Sequence, residues 1–89
     1  MSYEWDENKR RTNLAKHGVD FAVMHAFDWE TAAVEPDDHP EESRWIARGV
    51  IGSRLHVVVF TCRGDHIRII SLRKANPREE KRHAEQREP

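Results

Sequence analysis

The sequence has little cysteine, no long apolar run and no metal-ligand spacing, and each absence excludes a class of protein. Among the 89 residues, Cys62 is the single cysteine, so an internal disulfide framework is excluded. Because Cys62 lies in an apolar run, we expect a buried thiol. No stretch approaches the roughly 18 apolar residues of a membrane span. No signal-peptide pattern opens the chain, so we expect a cytoplasmic protein.

Two kinds of site are also missing from the pattern. The six histidines show no close ligand spacing such as H-x-x-x-H, so we predict no metal site. A glycine-rich phosphate loop is absent as well, which argues against nucleotide hydrolysis. We therefore expect no cofactor.

The charge that is present is unevenly distributed. Residues 1–43 hold 4 Lys or Arg and 11 Asp or Glu, a net charge of −7, whereas residues 44–89 hold 11 and 5, a net charge of +6. A polyanion could bind the basic half. Equally, the two halves could neutralise each other across the fold. Charge alone does not decide between these interpretations.

Helix and strand signals predict one α+β domain spanning residues 1–89. Asp6 and Asp20 are placed to cap two N-terminal helices, and Gly18 is placed to end the first. Asn76, Pro77 and Glu79 form a start signal for a C-terminal helix. The expected elements are a strand 3–5, helices 7–17 and 21–27, strands 31–34, 44–51, 54–63 and 66–74, and a helix from 77. We predict an antiparallel sheet of three to five strands, and residues 35–43 read as an exposed loop.

Two hairpins set the expected faces of the sheet. Gly52-Ser53 and Gly64-Asp65 put glycine first, which suits two-residue turns of type II′. With regular alternation, Arg68 and Arg73 fall on opposite faces, and only a bulge or a detour round an edge would bring them together. The second face is apolar at its centre, and its cationic members are Arg48, Arg63, His66, Arg68 and Lys74.

These residue types suit metal-free cleavage of RNA. The ribose 2′-hydroxyl can attack the adjacent phosphate if the protein supplies proton transfer and cations. The candidate suppliers are Lys16, His17, His66, Arg68, Arg73 and Lys74. Non-catalytic interpretations of these residues and of His83 remain open. The two arginines could pair with acids of the N-terminal half, Lys16 and His17 could complement a helix dipole, and His83 could be solvated on a charged helix.

Three motifs resemble the BrnT toxin family. The opening contains Glu4-Trp5-Asp6, Lys9 and Asn13-Leu14-x-Lys16-His17-Gly18-Val19-x-Phe21. The middle contains Arg44-x-x-Ala47-x-Gly49. The C-terminal part contains Arg68-Ile69-Ile70-Ser71-x-Arg73-x-Ala75 with Arg78-Glu79. The resemblance covers nearly the whole chain, and its two end motifs occur together at the separation seen in the family.

The resemblance implies a RelE-like α+β fold and a ribonuclease toxin of a type II toxin–antitoxin module that blocks translation without metal. It implies a BrnA-like ribbon-helix-helix antitoxin as partner, with RNA as substrate and operator DNA contacted only through the antitoxin. Lys16, Arg68 and Arg73, with His17, are the implied catalytic residues. The expected RNA contacts are Arg48, Arg63, His66, Lys74, Arg78 and Arg82.

The chain departs from the family pattern in places. Phe60 and His83 occupy positions where tyrosine is frequent, and Ala22-Val23-Met24 stands where glutamates are common. If a tyrosine hydroxyl matters in the family, His83 would have to replace it. The alternative function is a non-catalytic antitoxin-binding module that acts as part of a repressor complex.

Overall fold

The computed structural model describes residues 2–87. The chain begins with strand β1 and helix α1, continues through a 3-10 helix and four strands, and ends with helix α2. The bounds are β1 Ser2–Trp5, α1 Glu7–His17, the 3-10 helix Phe21–Ala26, β2 Ala33–Asp37, β3 Arg44–Ile51, β4 Arg54–Arg63, β5 His66–Lys74 and α2 Pro77–Arg87.

A five-stranded sheet with the order β1-β5-β4-β3-β2 forms the centre of the α+β fold. β2 to β5 pair antiparallel, as predicted, but β1 pairs parallel with β5. The sheet is therefore mixed, and the expectation of a purely antiparallel sheet was wrong. Nothing local in a four-residue strand encodes its direction against a partner 64 residues away in sequence, Ser2 against His66.

Both hairpin turns have the predicted geometry. Gly52 and Gly64 have φ values of +65° and +59°, and the non-glycine residues of the described chain have no positive φ. A type I′ turn needs positive φ at both central positions, whereas type II′ needs it only at the first. The turns at Gly52-Ser53 and Gly64-Asp65 are therefore type II′.

One face of the sheet, here called the core face, packs against the segment between α1 and β2. Its buried members include Ala47, Val58, Ile69 and Leu72, which contact Phe21 of the 3-10 helix. The second predicted α-helix is thus a 3-10 helix. Helix α1 supplies no apolar residue to this core, because its buried residue is Asn13. The predicted arrangement of two N-terminal helices is therefore corrected, since only the 3-10 helix supplies apolar residues to the core.

A β-bulge in β5 changes the predicted faces. Ile69 pairs with Phe60 and Ser71 pairs with Val59, so Ile70 is an extra residue in β5. Beyond this bulge the alternation shifts by one position, and Leu72 turns to the core face, where it is fully buried. The shift also moves Arg73 to the face that carries Arg68, so the prediction that regular alternation puts the two arginines on opposite faces was wrong.

Two other expectations were corrected. Residues Glu35–Asp37, predicted as loop, belong to β2, an edge strand, where Pro36 is tolerated because an edge does not need its missing N–H. Cys62 is exposed, since it lies near the hairpin end of β4 beyond the core segment. Within residues 2–87, no helix is long and apolar enough to cross a membrane.

Candidate functional site

The bulge brings the two candidate arginines of β5 to one surface. Arg68 lies opposite Thr61 and Arg73 opposite Val57, so both lie on the face away from the core, here called the outer face. Ser71, opposite Val59, lies on the same face. The five-residue separation of the arginines corresponds to at most roughly 16 Å along the strand.

Arg68 is held only loosely. Its guanidinium Nη1 lies 3.8 Å from Oε2 of Glu4, its neighbour on β1. The two side chains are 27% and 36% exposed, so this long ion pair is partly screened by solvent and contributes little to stability. Its guanidinium therefore stays available to an anion that approaches the outer face.

Arg73 is held tightly by the first turn of α2. Its Nη1 and Nη2 donate to the two carboxylate oxygens of Glu79 at 2.7 and 2.9 Å. Glu79 also accepts from the Asn76 backbone N–H, while its own N–H donates to the Asn76 side chain, which completes the predicted helix cap. The Arg73 hydrogen bonds, followed by that of Asn76, lower the pKa of Glu79 from 4.5 to about 2. This ion pair joins β5 to α2.

Lys16 and His17 lie beside the bulge. They line a shallow depression of about 270 Å³ together with Ile70 and Ser71 of β5. α1 is fixed there by Asn13, whose side chain donates to the Leu72 carbonyl at 2.8 Å and accepts from the Leu72 N–H at 3.1 Å. These bonds satisfy the β5 edge where β1 has already ended. Lys16 and His17 thus lie beside Ile70 and Ser71, which stand between Arg68 and Arg73 in β5, although neither arginine lines the depression.

A second basic surface lies between α2 and β2–β3. A groove of about 350 Å³ is lined by Arg48, Arg78 and Arg82, three of the predicted RNA contacts. Arg48 donates to Glu35 at 2.9 Å, and Glu79 also lines the groove. Glu79 borders both the groove and Arg73, and Arg48 and Arg73 both lie opposite Val57 of β4, so the groove reaches the outer face through Arg48.

The other three predicted RNA contacts do not line this groove. Arg63 and His66 pair across the β4–β5 hairpin end, and His66 Nδ1 lies 2.5 Å from the Ser2 hydroxyl. Lys74 is exposed at the opposite end of β5. The structure therefore separates these three residues into two places, and β5 lies between them.

Some of the ion pairs link the acidic residues 1–43 to the basic residues 44–89. Arg44–Glu42, Arg48–Glu35 and Arg68–Glu4 each connect residue 44–89 cations with residue 1–43 acids. Arg68 thus pairs with an acid of the N-terminal half, which was one of the interpretations left open. Arg73 instead pairs within its own half. The interpretation that the two halves neutralise each other therefore holds in part, and binding of a polyanion stays a prediction.

Two residues of this region were not predicted from the sequence. Asn13 could have been noticed, because asparagine is a poor residue for the middle of a charged helix unless its side chain has partners. His83 was expected to be solvated, but it is 8% exposed and lines the groove. No local pattern marked its burial, since α2 lacks an apolar stripe.

Comparison with known protein families decides the relationship. The family model described as ribonuclease toxin, BrnT, of type II toxin-antitoxin system matches residues 5–79. The chain belongs to the BrnT family. A search of curated proteins found no match. The matched span runs from Trp5, the last residue of β1, through β5 to the start of α2, so Lys16, Arg68 and Arg73 lie inside it and His83 lies beyond it.

BrnT membership places the chain among ribonuclease toxins that act in type II toxin–antitoxin pairs. Such a toxin has an antitoxin partner. The expected family, the toxin class and the general activity are therefore confirmed, and the geometry of the basic outer face can be considered with that activity in mind.

Proposed function

We propose that this BrnT protein is a metal-independent endoribonuclease that binds the scissile phosphate at the β5 bulge. The observation that carries the proposal is the extra residue Ile70, which puts Arg68 and Arg73 on one face. Lys16 and His17 border the same segment of β5. Without the bulge, the two arginines would lie on opposite faces of the sheet and could not bind one phosphate.

In the proposed reaction, the ribose 2′-oxygen attacks the adjacent phosphorus as its proton is removed. The bond from phosphorus to the 5′-oxygen breaks, and that oxygen receives a proton. The products are a 2′,3′-cyclic phosphate and a 5′-hydroxyl. Lys16, Arg68 and Arg73 would stabilise the charge that develops on the phosphate oxygens, and His17 would transfer a proton.

The ion pair with Glu79 does not occupy every hydrogen-bond donor of Arg73. A guanidinium has five N–H donors, and Glu79 takes two of them. The Arg73 side chain remains 38% exposed on the outer face. Glu79 would therefore orient Arg73 and leave donors for a phosphate oxygen.

The RNA strand would continue from the bulge into the groove under α2. Arg48, Arg78 and Arg82 line that groove, and Glu79 connects it to Arg73. Arg63, His66 and Lys74 would contact more distant phosphates, because they lie near the two ends of β5.

The proposed partner is a BrnA-like antitoxin with a ribbon-helix-helix domain, which would contact operator DNA for the complex. The family supports an antitoxin, and the strongly acidic residues 1–43 and basic residues 44–89 give complementary surfaces to a charged partner. The RelE-like character of the fold and a cytoplasmic site of action belong to this same proposal.

One observation favours the non-catalytic alternative. Arg68 and Arg73 both already have carboxylate partners, Glu4 and Glu79. A protein that used these arginines only to hold its fold, and its basic groove only to bind an antitoxin, would show the same ion pairs.

Substitution at Arg68 separates the two functions. Arg68→Ala removes a weakly paired side chain, so we expect an unchanged urea midpoint and at least about tenfold slower RNA cleavage, since charge stabilisation by one such group contributes a few kcal/mol. Arg11→Ala, an exposed change on α1, is the matched control and should cleave normally. Equal cleavage by both variants would refute a catalytic role for Arg68.

A further inference from the structure

His83 is an ionisable side chain buried in a place where burial is costly. It is 8% exposed on α2, and its Nδ1 is fully buried with no hydrogen-bond partner among the described residues. A buried polar atom without a partner lowers stability, so its presence in a folded protein calls for a functional explanation. Any apolar ring in its place would avoid this cost.

The surroundings of His83 keep the ring neutral. Burial, followed by the charges of Arg87 and Arg48, lowers the pKa of His83. The other charged groups that line the groove beside it are Glu35 on β2 and Arg78, Glu79 and Arg82 on α2. A neutral imidazole has one N–H, and an unsatisfied buried N–H is rarer than an unsatisfied acceptor. The proton therefore belongs on Nε2, the nitrogen that the groove can reach.

We propose that His83 is an RNA-binding residue whose Nε2–H donates to a phosphodiester oxygen of an RNA strand lying in the α2 groove. The proposal rests on the proposed ribonuclease function and adds a neutral donor to the arginines Arg48, Arg78 and Arg82. RNA is favoured over an acidic peptide because Arg48 of the groove and Arg73 of the proposed cleavage site lie on one face, both opposite Val57. A strand cut at the bulge would run directly into the groove.

The test uses an RNA oligonucleotide methylated at every 2′-oxygen, which binds but cannot be cut. Glutamine places its side-chain N–H₂ near the position of Nε2, asparagine places it near Nδ1, and phenylalanine keeps the ring without nitrogen. We expect His83→Phe and His83→Asn to bind at least about tenfold more weakly, and His83→Gln to stay within about threefold of the parent.

Stability is measured on the same variants. His83→Phe should raise the urea midpoint with an unchanged slope, because it removes the unpartnered Nδ1. With a cleavable RNA, the same variant should raise KM, leave kcat in place and keep the parent's pH profile. Arg11→Ala is the control for the binding and cleavage assays.

Several results would overturn the proposal. Tight binding by His83→Phe would show that the ring nitrogen is not used, and weak binding by His83→Gln as well would indicate a structural role. Loss of one limb of the pH profile in His83→Phe would make His83 a proton-transfer residue instead. Loss of binding to a poly-glutamate peptide, with RNA binding intact, would assign the groove to a protein partner. If the parent protein itself does not bind the methylated RNA, the result contradicts the proposed ribonuclease function and not the role of His83 alone.

Discussion

The ion pair between Arg73 and Glu79 should stabilise the native state by about 1–2 kcal/mol. Glu79 has its pKa lowered from 4.5 to about 2, and at 1.36 kcal/mol per pKa unit the whole shift corresponds to about 3 kcal/mol. The Arg73 side chain is 38% exposed, so solvent screening reduces the part that the charges contribute. Asn76 supplies another part through its backbone N–H.

A double-mutant cycle isolates the charge contribution. Glu79→Gln keeps an acceptor for the Asn76 N–H and removes the negative charge, and Arg73→Gln removes the positive charge. We expect each single variant to lower the free energy of unfolding, and the double variant to cost about 1–2 kcal/mol less than the sum of the singles. Urea denaturation at pH 7 measures all four proteins.

The stabilisation contributed by the ion pair should decrease as the pH falls. Because the folded-state pKa of Glu79 is lowered, its stabilisation is fully present above pH 4.5 and is lost as the pH falls toward 2. The stability difference between the parent and Glu79→Gln should therefore shrink between about pH 5 and pH 3. A difference that is equal at both pH values, or a coupling near zero, would refute the claim that this charge pair fixes α2 to β5.

Three further predictions concern the fold that supports the site. Asn13→Ala leaves the Leu72 N–H and carbonyl unsatisfied, so it should lower the free energy of unfolding by about 2–4 kcal/mol; a loss below about 1 kcal/mol in urea denaturation would contradict this. Gly49→Ala would place a Cβ 2.8 Å from Phe27 Cε2, so overpacking should cost about 1–3 kcal/mol by the same assay, and an unchanged midpoint would contradict the contact. Cys62 is exposed, so a thiol reagent should label it fully without denaturant. A thiol that reacts only after the protein unfolds would show instead that Cys62 is buried, as the sequence predicted.

Much of the fold could be predicted because its signals are local. The caps at Asp6, Asp20 and Asn76 and the glycine turns bound the helices and the three-stranded meander where the structure has them. These signals work because each is satisfied by neighbouring backbone groups within one turn. The bounds of these elements therefore needed no tertiary information, unlike those of β2.

The candidate site could not be predicted as fully, because it depends on pairing between distant residues. The bulge at Ile70 arises where Leu72 turns into the core and bonds to Asn13, 59 residues earlier. Sequence alternation alone put Arg68 and Arg73 on opposite faces for that reason. His83 is similar, since its burial depends on where α2 lies over β2 and β3.

The central claim is that the outer face at the β5 bulge cleaves RNA through the ribose 2′-oxygen without metal. The most direct measurement is an end-group analysis of RNA incubated with purified protein in excess EDTA, beside an RNA with one 2′-deoxy residue at the cut site. We predict 2′,3′-cyclic phosphate and 5′-hydroxyl ends, and no cut at the deoxy position. RNA that stays intact in EDTA, or cleavage that persists at the deoxy residue, would contradict the account.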